Sequence, residues 1–215
     1  MSEDIIPSIL QNPDELRENL QEMGLFYILF GISLGFSLAL GFYIEIQSPG
    51  LSNIEFINSM LPYLGGSSVL EGIICLIISL YGSRIAMLVG DKVLRIAAFL
   101  LMSYAILDAV SGSLLVFVPP SGEELIAALQ NPDITSYIFV LFEIIVFVVW
   151  GLSFAKTKHI KLDLGVARTG SFLIALGGLL EFIGFGYFVL TPAFIIAGIG
   201  FRKIKKAVEE IPPLF

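Results

Sequence analysis

Apolar residues run almost without a break through residues 24–46, 60–82, 96–118 and 135–155, and again through 169–201. Each stretch reaches or passes the roughly 18 residues that mark a membrane-crossing helix. The last one, 169–201, is too long for a single helix and barely long enough for two. Two short helices there need a tight turn near FGYFVLTP, with Thr191 as the cap and Pro192 as the first helical residue. The pattern predicts an all-α, polytopic membrane bundle of six transmembrane helices, or five if 169–201 is one long helix.

Charge separates the two counts. The twelve Lys and Arg are Arg17, Arg84, Lys92, Arg95, Lys156, Lys158, Lys161, Arg168, Arg202, Lys203, Lys205 and Lys206. The loops at 47–59 and 119–134 hold none. Basic loops stay in the cytoplasm, and all twelve fall on one side only if the chain crosses six times with both termini inside. The expected organisation is a cytoplasmic N-terminal segment at 1–23, a transmembrane bundle at 24–201 and a basic cytoplasmic tail at 202–215. Asn12, Pro13 and Glu15 suit the start of a short helix over 13–23, and 121–130 suits a short outer helix. Tyr27, Tyr43, Tyr63, Tyr81, Tyr137 and Tyr187 fall near span ends, as interfacial anchors do; Tyr104 does not. The acidic N-terminus lacks the basic start of a cleaved signal peptide, so the first span is expected to be the targeting signal.

Composition agrees. The 215 residues are 56% hydrophobic and 14% charged, with a mean hydropathy of +0.91, more apolar surface than a soluble domain of this size can hide. One cysteine, Cys75, and one histidine, His159, make a zinc or haem site unexpected, and no cofactor is implied. A net charge of −7 offers no surface for nucleic acid. The basic runs KTKHIK and FRKIKK read as topology signals lying against anionic headgroups. The partner the sequence specifies is the lipid bilayer; a homo-oligomer or a complex partner stays open. No HExxH, GxSxG, P-loop or strand-borne GxGxxG is present, so the chain is not expected to be an enzyme.

The chemistry that remains is carboxylic. Glu71, Asp108, Glu143 and Glu181 lie inside spans, at similar depth between the midplane and the outer leaflet, with no basic residue in any span to pair them. Ser67, Glu71, Cys75 and Ser79 recur every four residues as a polar stripe, and Tyr104, Asp108 and Ser111 share a face of the third span. Ser171, Ala175, Gly178 and Glu181 form a small-residue face that admits another helix. An ionised acid at mid-bilayer costs about 2.5–3.5 kcal/mol on insertion scales. Such acids are carried neutral, face a wet cavity, or hold a cation. Two readings follow: a proton or monovalent-cation site built from Glu71, Asp108, Glu143, Glu181, Tyr104 and Ser67, or neutral carboxyls acting as interhelical glue in an accessory or structural subunit. LQNPD before both the first and the fourth span, with Gly pairs before Glu71 and Glu181, fits a 3+3 inverted repeat; helix-start chemistry used twice fits it too.

The end of the chain, GSFLIALGGLLEFIGFGYFVLTPAFIIAGIGFRKIKKA, resembles the last hairpin of small archaeal multi-pass membrane proteins of unassigned function. The resemblance implies an archaeal plasma-membrane protein and carries no activity or functional residue.

Overall fold

The computed structural model describes residues 13–49, 53–121, 124, 127, 133–157, 160 and 162–204. The bundle consists of α1 (Pro13–Gln47), α2 (Ile54–Val89), α3 (Lys92–Phe117), α4 (Ile134–Lys156), α5 (Gly165–Leu180) and α6 (Gly186–Arg202). A 3-10 turn, Glu181–Ile183, follows α5. No strand occurs among the described residues. The helices α1 to α4, together with Gly165–Ile183, are long and apolar enough to cross a membrane; α6 is apolar and shorter.

Local chemistry sets the helix starts. Asn53 caps α2, its side chain accepting from the Phe56 backbone N–H at 3.1 Å. Asp91 caps α3 through Val93 and Leu94 at 2.9 and 3.0 Å, and Asp133 caps α4 through Ser136 at 2.9 Å. Each satisfies donors that a first helical turn leaves open. Gly90, at φ 67°, ends α2 in a left-handed cap, so α2 and α3 join in the tightest turn of the bundle.

Each helix packs on the next along the chain, and α6 returns to pack on α1. The result is an up-and-down ring. Its members approach closely where side chains are smallest. A Cβ built on Gly65 would lie 2.6 Å from the Gly112 carbonyl oxygen, and one on Gly112 would lie 2.5 Å from that of Gly65. Gly24 and Gly198 bring α1 and α6 together in the same reciprocal way, at 2.8 and 2.5 Å. The small-residue face of α5 meets Gly151 and Phe147 of α4. Hydrocarbon gives apolar helices little reason to leave lipid for one another, so this contact geometry supplies the cohesion.

The ring is filled at one end by aromatics. Tyr27, Phe30, Phe147, Trp150, Phe154, Phe194 and Phe201 are all fully buried. Phe30 and Phe194 meet edge-on at 4.7 Å between centroids, and Trp150 and Phe154 at 5.1 Å, the arrangement ring quadrupoles favour. This plug lies on the side where α2, α4 and α6 end, the side carrying Arg84, Lys156 and Arg202. At that basic end Thr157 donates to the buried Asp91 at 3.0 Å, and Arg168 donates to the Thr157 carbonyl at 3.2 Å. The outward surface is apolar, with Phe99, Phe117 and Ile134 at 67, 81 and 76% exposure, which suits lipid.

Several expectations are corrected. Residues 169–201 do divide into two helices, but the turn falls at Glu181–Phe185, with Gly184 at φ 74°. The left-handed residue stops the helix earlier than the proline. Pro192 lies inside α6 instead of at its start, and Thr191 is not a cap: its Cγ2 packs beside Gly35. The short helix over 13–23 is the first part of the unbroken α1, held there because Leu16, Leu20 and Met23 bury in the common core. Tyr27 is not an interfacial anchor; it sits within the plug at 0% exposure. The two LQNPD segments start their helices differently, since Asp14 lies inside the first turn of α1 whereas Asp133 caps α4. The outer helix at 121–130, His159 and most of the C-terminal tail lie largely or wholly outside the described residues.

Adjacent glycines test the packing account. Gly65→Ala, pressed against the α3 backbone, is expected to destabilise the detergent-solubilised protein by about 1–3 kcal/mol. Gly66→Ala, with nothing within 4 Å of its Cβ, is expected to be neutral or slightly stabilising. Equal thermal midpoints for the two variants would contradict the close α2–α3 contact.

Candidate functional site

The polar stripe of α2 does face inward: Ser67, Glu71, Cys75 and Ser79 are all buried. Ser67 and Ser79 donate back to their own helix, to the carbonyls of Leu64 at 2.8 Å and Leu76 at 2.7 Å. Glu71, 5% exposed, turns instead to α1 and accepts a hydrogen bond from the Ser37 hydroxyl. Ser33, one turn away on α1, is buried and faces the same carboxyl.

Glu71 and Asp108 line a shared cavity of about 590 Å³ between α1, α2, α3 and α6. Its walls include Leu38, Phe42, Leu64 and Leu115, and it extends toward Glu45 near the end of α1. From Ser37 to Glu45 the helix rises about 12 Å. Ser67 and Tyr187 complete the polar lining, and no Lys or Arg contributes. The Oδ2 of Asp108 is buried without a hydrogen-bond partner.

Glu143 is bound differently. Its Oε1 accepts from the Tyr187 hydroxyl at 2.9 Å and the Tyr104 hydroxyl at 3.2 Å. One oxygen thus ties α3, α4 and α6 together just above the aromatic plug, where Tyr104 and Phe147 meet edge-on at 5.3 Å. Glu181 sits in the turn after α5. The Tyr187 backbone N–H points at its carboxylate, while its Oε2 is buried without a partner.

The four acids predicted from sequence therefore occupy one layer. Asp108 lies within electrostatic range of Glu71 and Glu143, and Glu143 within range of Glu181. The layer is not a single coordination shell: among the described residues, no three His, Cys, Asp or Glu stand close enough to hold a metal ion. Only Glu71, Asp108 and Ser67 of the predicted set open onto the cavity; Tyr104, Glu143 and Glu181 do not line it. Ser111 shares the helical register of Tyr104 and Asp108 but is exposed, the contact with α2 at that level being made by Gly112.

Sequence reasoning missed Ser37 and misread Tyr187 as an interfacial anchor. A signal for the first was present: Ser33, Ser37, Gly41 and Glu45 repeat every four residues on α1, as Ser67 to Ser79 do on α2. Tyr187 carried no such signal, because its partner lies on a helix 44 residues away.

No protein-family model, no curated protein and no solved structure matches the chain.

The tyrosine pair can be measured. Tyr187→Phe is expected to lower stability by about 0.6–1.7 kcal/mol, the range for intramembrane hydrogen bonds. Glu143→Gln, which keeps an acceptor oxygen, is expected to cost less than Glu143→Leu, which strands both hydroxyls. If a double-mutant cycle between positions 143 and 187 shows no coupling, the pair does not hold the helices.

Proposed function

We propose that this is a small proton- or cation-linked transporter or channel of an archaeal plasma membrane, with both termini cytoplasmic. The observation that carries this reading is the placement of Glu71 and Asp108 on one cavity without a basic partner. Buried intramembrane acids facing a cavity mark ion pathways. Charge on either one needs compensation by a proton or a cation that enters from outside the protein. Glu71 is the principal site, oriented by Ser37; Asp108 is its neighbour, and Ser67 adds polarity to the wall. The cavity occupies the half of the bundle away from the basic residues, so the reading has it accessible from the outer side. The aromatic plug seals the cytoplasmic side. No catalytic chemistry is assigned to it.

Glu143 favours a second reading, that of an accessory membrane subunit whose acids serve as glue. Two tyrosine donors on one carboxyl oxygen are what a structural acid requires. The two readings divide over Glu71 and Asp108, which have a cavity where Glu143 has tyrosines.

Flux decides between them. Proteoliposomes containing the wild-type protein are expected to carry protons or monovalent cations, with Glu71→Gln and Asp108→Asn reducing the flux about tenfold or more and Glu143→Gln retaining most of it. Absence of flux in folded wild-type protein would remove transport and leave the accessory reading.

Orientation is tested separately. A cysteine at Ser121, in a Cys75→Ser background, is expected to react with an impermeant maleimide added to intact cells. Reaction only after permeabilisation would reverse the assignment of sides.

A further inference from the structure

We infer that the Glu71–Asp108 cavity is a binding site for a lipophilic organic cation, an ammonium or phosphonium carrying alkyl or aryl groups. This rests on the transport reading above and names what the site takes. A cavity of about 590 Å³ is the size of a small-molecule pocket, for which roughly 300–1,000 Å³ is usual. It is far too large for a dehydrated alkali ion, which would need oxygens converging around it. Among the described residues, no three His, Cys, Asp or Glu converge to hold one.

The lining combines two chemistries. At the floor are Glu71 and Asp108, the Asp108 Oδ2 buried without a hydrogen-bond partner. Above the floor, Leu38, Leu64, Leu115 and Phe42 supply most of the wall, with Ser68 among them and Glu45 toward the end of α1. The Tyr187 hydroxyl is engaged with Glu143, so this residue presents its ring to the cavity and keeps its hydrogen bond elsewhere. A small hydrated inorganic ion has no use for aliphatic walls. A neutral apolar ligand has no use for two carboxyls, and an anion would meet no basic residue. A molecule with a positive head and an apolar body satisfies both parts: the head between Glu71 and Asp108, the body against the leucines, and an aromatic face available to the cation.

Binding can be measured with radiolabelled tetraphenylphosphonium and the purified full-length protein in detergent. Saturable binding is expected, weakened about tenfold or more by Glu71→Gln and by Asp108→Asn. Gly41 lines the cavity and has nothing within 4 Å of its Cβ. Gly41→Leu therefore fills space without disturbing the helices. It is expected to abolish tetraphenylphosphonium binding while the thermal midpoint and gel-filtration profile stay at wild-type values. Lack of saturable binding to folded wild-type protein overturns the inference. So does binding that survives both Glu71→Gln and Gly41→Leu, because the probe is then elsewhere. Proton or alkali-cation flux without tetraphenylphosphonium binding sinks this inference and leaves transport standing. Saturable, Glu71-dependent binding without any flux does the reverse, leaving a cation-binding protein that does not transport.

Discussion

Close approach of helix backbones is the condition on which the rest of this molecule depends. In water, burying the apolar faces of these helices would drive association; in hydrocarbon that drive is absent. Cohesion must come from dispersion contacts at short range, and a Cβ at the contact point prevents it. Gly65 against Gly112 and Gly24 against Gly198 meet that condition at two joints of the ring. Because α6 closes on α1, six helices enclose a centre, and the width of that centre is fixed by the glycine contacts at its rim. The centre then has to be filled. Large rings fill the basic half. In the other half they give out, and the remaining volume is the cavity.

This division explains why the acids lie where they do. Within the plug the space is taken by packed rings, and an acid on the outer surface would meet lipid. Just beyond the plug a carboxyl finds hydroxyls or open space. Glu143 finds Tyr104 and Tyr187; Glu71 finds Ser37 and the cavity. The common depth of the acids is thus a consequence of where the aromatic filling stops.

Much of this was legible along the chain. Apolar run lengths and the placement of Lys and Arg led to the six-helix architecture, and four-residue spacing placed Ser67, Glu71, Cys75 and Ser79 on one buried face. Spacing put Ser111 on the face of Tyr104 and Asp108, but it could not tell that Ser111 is exposed there, because the contact with α2 at that level is made by Gly112 against Gly65. The hairpin turn was misplaced for a related reason. Pro192 is a strong local breaker, but inside α6 it costs only one backbone donor, whereas Gly184 is the residue that adopts the left-handed conformation a reversal needs. Tyr27 and Tyr187 were assigned by proximity to span ends, a rule that assumes the ring points to the interface. Both rings point inward, where one fills the plug and the other bonds Glu143.

The acids that sequence treats as one set are two kinds in the structure, and the difference lies in their donors. Glu143 has its Oε1 held by tyrosines from two other helices. Glu71 has one serine and an open side, and Asp108 has an oxygen with no partner at all. A carboxyl in Glu143's position already has two protein donors. At Glu71 and Asp108 a neutral carboxyl leaves bonding capacity facing the cavity, and an ionised one leaves charge there. Removing a partner from a buried polar group costs more than the bond was worth on balance. A fold that keeps such groups beside empty volume is therefore poised to stabilise whatever positively charged occupant completes them. The same step of reasoning separates the acid that holds the bundle together from the pair that gives it something to bind.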